Sequence, residues 1–364
     1  MFKRVLIASA LAAAFAVPAM AEVAISGSAE MDLMVGTNRA EGNSSGTQLY
    51  EEIAITINVD GKDKLDNGDT LSWRLAQKVA TDWKYDSWGA REAWIGYEGS
   101  WGNLRFGNQF TDTYLTLDWP YGVNGSGNMT ADQGTLAVWT GRDGFGGSIR
   151  YATPSFSGVG LTAQYIIGSY AADGSNADGW DLGLNGSWGG FNLNAGYQVL
   201  NNRAHTQQSF GGDTASWLNV KGSQNETELY FVGARYNFGD FNLRGLYKHN
   251  SVTLNNVEAE ADQWLIGGGY SFGKNSITVS YQQLMDADVS GGANPGSRNS
   301  GAQQIAGQWN YSISKNSVFF VQGRYHMYDS TSNDVGGNYS PRYDGSVASK
   351  DNSFRLTVGT WTGF

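Results

Sequence analysis

From residue 22 to the C-terminus, apolar and polar residues alternate with period two, and no window sustains the 3.6-residue period of a helix. Strands are the only regular element that alternation allows. Phe191, Leu193, Ala195, Tyr197 and Val199 take one face of a segment whose other face is Asn192, Asn194, Gly196 and Gln198. Ile277, Val279 and Tyr281 alternate in the same way with Ser276, Thr278, Ser280 and Gln282. Near the end, Phe354, Leu356 and Val358 alternate with Ser353, Arg355, Thr357 and Gly359.

Tight turns punctuate the alternation with an aromatic-glycine signature: Trp101-Gly102, Trp188-Gly189-Gly190-Phe191, Phe238-Gly239-Asp240-Phe241 and Phe272-Gly273-Lys274. Glycine there supplies the positive φ of a short hairpin. Long polar segments, 201–225, 286–300 and 329–351, alternate with the short turns. In this register the chain contains sixteen strands, near 22–36, 48–60, 69–81, 88–98, 103–110, 147–154, 158–170 and 178–188, then near 190–200, 226–237, 241–250, 261–272, 275–285, 301–312, 317–328 and 352–364.

The composition of the two faces decides between a soluble sandwich and a membrane barrel. Asn, Gln, Ser, Thr, Gly and Arg recur on the polar face of nearly every strand, while Trp188, Phe191, Tyr236, Phe238, Phe241, Tyr270, Phe272, Trp309 and Tyr311 gather at strand ends on the apolar face. Aromatics at that level suit a girdle at a membrane interface. An even number of strands, short turns on one side and long loops on the other predict an all-β fold: a 16-stranded antiparallel transmembrane β-barrel, whose closure leaves no edge to satisfy. The barrel also reconciles 13% aromatic residues and only 16% charged residues with a mean hydropathy of −0.38. Fifty glycines exclude a coiled coil, and 34 acidic against 24 basic residues disfavour nucleic acid as a partner.

Residues 1–21 read as a signal peptide: Lys3 and Arg4, an apolar run from Val5 to Phe15, Pro18, then Ala19-Met20-Ala21 as a cleavage site. Losing those two cations takes the net charge from −10 to −12. The single domain is then the barrel, residues 22–364. With no cysteine, no disulfide framework supports it after export.

In Arg91-Glu92-Ala93-Trp94-Ile95-Gly96-Tyr97 followed by Gly102-Asn103-Leu104-Arg105-Phe106-Gly107, in Ser148-Ile149-Arg150-Tyr151 leading to Phe156-Ser157-Gly158, and in the terminal Phe364, the chain resembles the Gram-negative general porins. The resemblance implies a homotrimer in the outer membrane, in contact with lipid and lipopolysaccharide, passing ions and small hydrophilic solutes. It implies Phe364 as an assembly signal, and a third loop, here 111–146, folded into the barrel to narrow the pore. Acidic groups on that loop face an arginine ladder in the family. Here the family's Pro-Glu-Phe-Gly-Gly has become Pro120-Tyr121-Gly122-Val123, so Asp112, Asp118 and Asp132 are the candidate acids. Arg91 and Arg150 match ladder arginines, and Arg142 and Arg150 keep the family's spacing after the loop. Arg74, Lys78 and Arg105 join them on the polar face by alternation. Arg91 shares parity with Ala93, Ile95 and Tyr97, which leaves its face open, and a family arginine of the second strand is replaced by Glu51 or Glu52.

No catalytic, cofactor or metal site is expected. Gly42-Asn43-Ser44-Ser45-Gly46 lacks a strand-to-helix elbow, His205, His249 and His326 are scattered, and Gly267-Gly268-Gly269 precedes no helix. Passive diffusion is the leading expectation, with weak cation preference from the acidic balance. A substrate-selective porin for sugar, phosphate or carboxylate ranks second, and an outer-membrane adhesin or enzyme third.

Overall fold

The computed structural model describes residues 22–37, 47–80, 88–118, 121, 144–167, 178–201, 225–254, 257–292, 295–297, 301–329 and 352–364. Residues 1–21, where a signal peptide is expected, lie outside them. Among these residues, eighteen strands and one short helix follow along the chain. They are β1 Glu22–Thr37, β2 Gln48–Lys64, β3 Thr70–Ala80, β4 Glu92–Gly99, β5 Gly102–Phe110, α1 Asp112–Asp118, β6 Gly144–Ala152, β7 Val159–Ile166, β8 Gly179–Trp188 and β9 Phe191–Asn201. The second half contains β10 Asn225–Phe238, β11 Phe241–Leu254, β12 Val257–Phe272, β13 Asn275–Leu284, β14 Asp288–Gly291, β15 Gly296–Ser297, β16 Ala302–Ser312, β17 Ser317–Tyr328 and β18 Asn352–Gly363.

Sixteen of these strands form one closed antiparallel wall, each paired with its neighbour in the chain. The wall closes where β1 pairs with β18 from Ser28↔Gly363 to Thr37↔Phe354. Beyond that ladder, Gly27 and Phe364 exchange two backbone hydrogen bonds of 2.9 and 3.0 Å. The remaining strands, β14 and β15, are a small hairpin laid along Val257–Glu260 of β12. That hairpin is missed by alternation alone, because it falls in a polar stretch. Val289 supplies its buried side chain, beside Ala259 and Val257.

The short turns take the conformations that their glycines predict: φ is 60° at Gly189, 58° at Gly239 and 57° at Gly273. Phe156-Ser157-Gly158-Val159 closes β6 onto β7, with φ of 50° at Ser157 and 84° at Gly158, the pair of positive angles a two-residue hairpin wants.

Alternation sorts the two faces as expected. Outward, Tyr236, Phe238, Phe241, Tyr270 and Phe272 stack in sequence at the turn end, with ring centroids 4.6–5.6 Å apart. A second outward row, including Trp180, Tyr230, Tyr247, Trp264 and Tyr325, lies roughly 20 Å further along the strands at about 3.4 Å per residue. Between the rows the surface is aliphatic and exposed, with Val232, Leu243, Ile266, Val279 and Ile305. Inward, the register aligns Gln164, Asp181 and Gln198 on β7–β9, Gln282 with Gln304, and Gln308, Gln322 and Thr357 on β16–β18.

Candidate functional site: the inner wall

The polar face carries its cations in clusters on adjacent strands. Arg74 on β3 is the register partner of Asp60 on β2, and its Nε and Nη2 donate to the two Asp60 oxygens at 2.7 and 3.1 Å. Its third nitrogen, Nη1, reaches Glu92 on β4 at 3.2 Å. Arg105 on β5 faces Arg150 on β6 directly. Arg105 is steadied by a bond to Asn103 Oδ1 at 2.9 Å and by the Trp94 ring, 4.2 Å from its guanidinium carbon. Lys78 lies buried on the same face, in register with Thr56.

Arg91 differs from these. It occupies the bend before β4, and its guanidinium lies 4.9 Å from the Phe110 ring. The strand's irregularity falls elsewhere, between Phe106 and Asn108 of β5, where Gly107 takes φ of 128°. Of the two candidate glutamates on β2, Glu52 is the inward one, buried opposite Asp32 of β1, while Glu51 faces out.

The segment after β5 is not without structure: Asp112–Asp118 forms α1. The polar faces of β8 and β9 hold it. Asp181 Oδ1 accepts the backbone N–H groups of Asp112 and Thr113 at 3.0 and 3.2 Å, which satisfies two of the donors a helix start leaves open. Gln198 donates to the other Asp181 oxygen at 2.8 Å. The Asp112 carboxylate in turn accepts from Arg150 at 3.1 Å and Asn185 at 2.9 Å. Gly183 is needed there, since a Cβ would collide with Asp112.

Three residues on, Tyr121 is buried with its hydroxyl donating to Asn194 Oδ1 at 3.0 Å, and burial pushes its phenol up to about 12. Gly233 leaves the space its ring fills. Leu117 and Tyr121 pack on Leu229, Phe231, Leu246 and Leu265, an apolar patch on a face that is otherwise polar. Local sequence does carry a signal for this patch: Leu229-Tyr230-Phe231-Val232 and Trp264-Leu265-Ile266 are apolar on both parities. The inward basic residues Arg235, Arg244, Lys248, Arg324 and Arg355 are further members of the wall that reading only the matched motifs overlooks. Pro120, Asp132 and Arg142 lie outside the described residues, as does the side chain of Asp118. His326 lies in register between Gln304 of β16 and Ser353 of β18, and its side chain lies outside the described residues.

No group of three or more His, Cys, Asp or Glu residues with metal-binding geometry occurs among the described residues.

Similar proteins bear out the architecture. A family model described as Gram-negative porin matches residues 8–359. The major outer membrane protein P.IB of Neisseria meningitidis serogroup B is 26% identical over 322 residues, covering 76% of this chain and 91% of the relative. Its counterpart in Neisseria gonorrhoeae is 26% identical over 327 residues, covering 76% and 92%. Among solved structures, an anion-selective porin from Comamonas acidovorans superimposes with a TM-score of 0.75 at 16% identity, covering 95% of this chain and all of that one. OmpF of Salmonella typhi, solved with daunomycin, gives 0.62 at 16% identity with coverage of 95% and 100%. A closed sixteen-stranded wall, apolar outside and polar inside, is thus matched along almost its whole length, and the chain belongs to the Gram-negative porin family of the outer membrane.

Proposed function

We propose that this protein is a passive diffusion channel for ions and small hydrophilic solutes, working as a homotrimer. The observation that carries the reading is the sorting of charge: Arg74, Arg105, Arg150, Arg235, Arg244, Lys248, Arg324 and Arg355 share the inner face of a barrel whose outer face is aliphatic. Fixed charges along a water-filled path bias which ions enter without any conformational work. Segment 111–146 narrows the path. Its support is the anchoring of α1 and Tyr121 by Asp181, Asn185, Asn194 and Arg150. Phe364 acts as the assembly signal, and exposed apolar residues such as Val23 and Ile25 on β1 suit a subunit contact.

The acidic balance of the chain argued for cations, but the division of charge supports a preference for anions. Glu226, Glu228, Glu258, Glu260 and Asp262 have the outward parity of Tyr230 and Trp264, away from the path. Those five carboxylates contribute to net charge without lining the lumen. Arg74 and Arg150 are compensated by their carboxylate partners, whereas Arg105 has none within ion-pairing distance among the described residues.

Purified protein in planar bilayers is expected to give stepwise conductance, in steps of three for a trimer. A folded barrel without conductance overturns the channel. In a salt gradient the reversal potential is expected on the anion side, and cation preference there would return the selectivity to the acidic balance.

A further inference from the structure

Two neutral side chains stand between Arg105 and the carboxylates near it. The inward face of β4 reads Glu92, Trp94, Gly96 and Glu98, and Arg105 of β5 is the register partner of Gly96. Its stem crosses β4 at that glycine, where a Cβ would come within 2.9 Å of Arg105 Cγ. Glu92 and Glu98 both lie within electrostatic reach of its guanidinium, together with the cations Arg74 and Arg150. Yet neither acid forms an ion pair with it among the described residues.

The hydrogen bonds show what keeps them apart. Glu92 accepts from Arg74 on Oε2 at 3.2 Å and from the Trp94 indole N–H on Oε1 at 3.1 Å, while the face of that indole carries the Arg105 guanidinium. Glu98 accepts from Asn103 Nδ2 at 3.2 Å, and Asn103 Oδ1 accepts from Arg105 Nε at 2.9 Å. A carboxylate only accepts and a guanidinium only donates, so the Asn103 amide has one orientation that serves both. Trp94 and Asn103 each hold an acid by a donor group and hold Arg105 by an electron-rich one, a ring face or an amide oxygen. Trp94, Asn103 and Arg105 are all partly exposed, so this arrangement acts at the surface of the path and not from within the wall.

We propose that Trp94 and Asn103 are positioning residues for ion selectivity, which keep Arg105 from closing onto Glu92 or Glu98. An arginine paired with a carboxylate presents little net charge to a passing ion, whereas one held by a ring and an amide presents all of it. Selectivity at this point of the wall is then set by two uncharged residues as much as by the charges themselves. The proposal rests on the channel reading and assigns two residues to its selectivity.

The test is the reversal potential in a potassium chloride gradient across a planar bilayer, read as a shift from the unaltered protein. Trp94→Leu and Asn103→Ala remove no charge, yet each is expected to move the potential toward cations as Arg105 closes onto the released acid. Trp94→Phe keeps an aromatic face and is expected to stay near the parent value. Arg105→Gln moves the potential toward cations by itself, and in that background neither Trp94→Leu nor Asn103→Ala is expected to add a further shift. Conductance in salt alone reports that each variant is folded, and Asn103→Ala carries the test if Trp94→Leu does not insert. Parent-like potentials in the conducting Leu and Ala variants, or shifts of the same size without Arg105, overturn the positioning role and leave the channel standing. A Phe variant that shifts as far as the Leu variant overturns the part given to the ring. Absence of conductance in the parent overturns both the channel and the role.

Discussion

Single side chains on this barrel are set by which charges the register brings face to face. Asp60 and Arg74 are direct cross-strand partners and pair; Asp32 and Arg355 are offset and do not. At the loop end of the wall a third arrangement appears. Gly301 N–H donates to Asp286 at 2.8 Å and Asp329 N–H donates to the Gly301 carbonyl at 3.0 Å, which brings two carboxylates together. Burial, then the Asp286 charge, raise the Asp329 carboxyl above its ordinary range. An acid whose folded value is raised binds more protons folded than unfolded, so its stabilising effect grows as pH falls through the raised value. The protection factors of the Gly301 and Asp329 amides, the intrinsic base-catalysed rate at each pH divided by the observed exchange rate, should therefore rise on mild acidification. Asp329→Asn is expected to abolish that rise; protection that still increases on acidification in the variant would assign the effect to another group.

For the strands, parity is the deciding quantity. Ile266 and Leu265 are adjacent in β12, but Ile266 is 59% exposed on the lipid side and Leu265 is 4% exposed beneath α1 and Tyr121. Ile266→Arg puts a charge among Val232, Leu243 and Val279 between the aromatic rows. It should destabilise the barrel by about 2–4 kcal/mol, measured as urea unfolding in phospholipid vesicles. Leu265→Arg removes part of the seat of α1 instead and adds a cation to the inner wall. Equal destabilisation by Arg at the two positions would contradict the facing of β12. The sixteen strands of the wall were legible in sequence to within a few residues, because alternation persists over eight to seventeen residues in each. Helix α1 was not, since its seven residues span less than two turns and show little periodicity. What holds it is Asp181, 69 positions away in the chain.

Closure is the property of the whole molecule on which the others depend. β1 and β18 come from opposite ends of the chain, and the last residue completes their seam through Gly27, where the Phe364 ring occupies the space a side chain would take. Deleting Phe364 removes two backbone hydrogen bonds and that ring contact. The expected result is a lower yield of heat-modifiable folded barrel in the outer membrane, while refolding in detergent survives at reduced stability. Unchanged yield would show that the terminal residue is dispensable for assembly. The sequence alone determined that the chain is a sixteen-stranded barrel with a lipid side and a water side, because period-two patterning and turn glycines act between neighbours in the chain. It could not determine which charges meet, why an apolar patch lies inside, or where the acidic excess resides. Those depend on register around a closed ring, and only the tertiary structure brings Arg74 onto Asp60 and Asp112 onto Arg150.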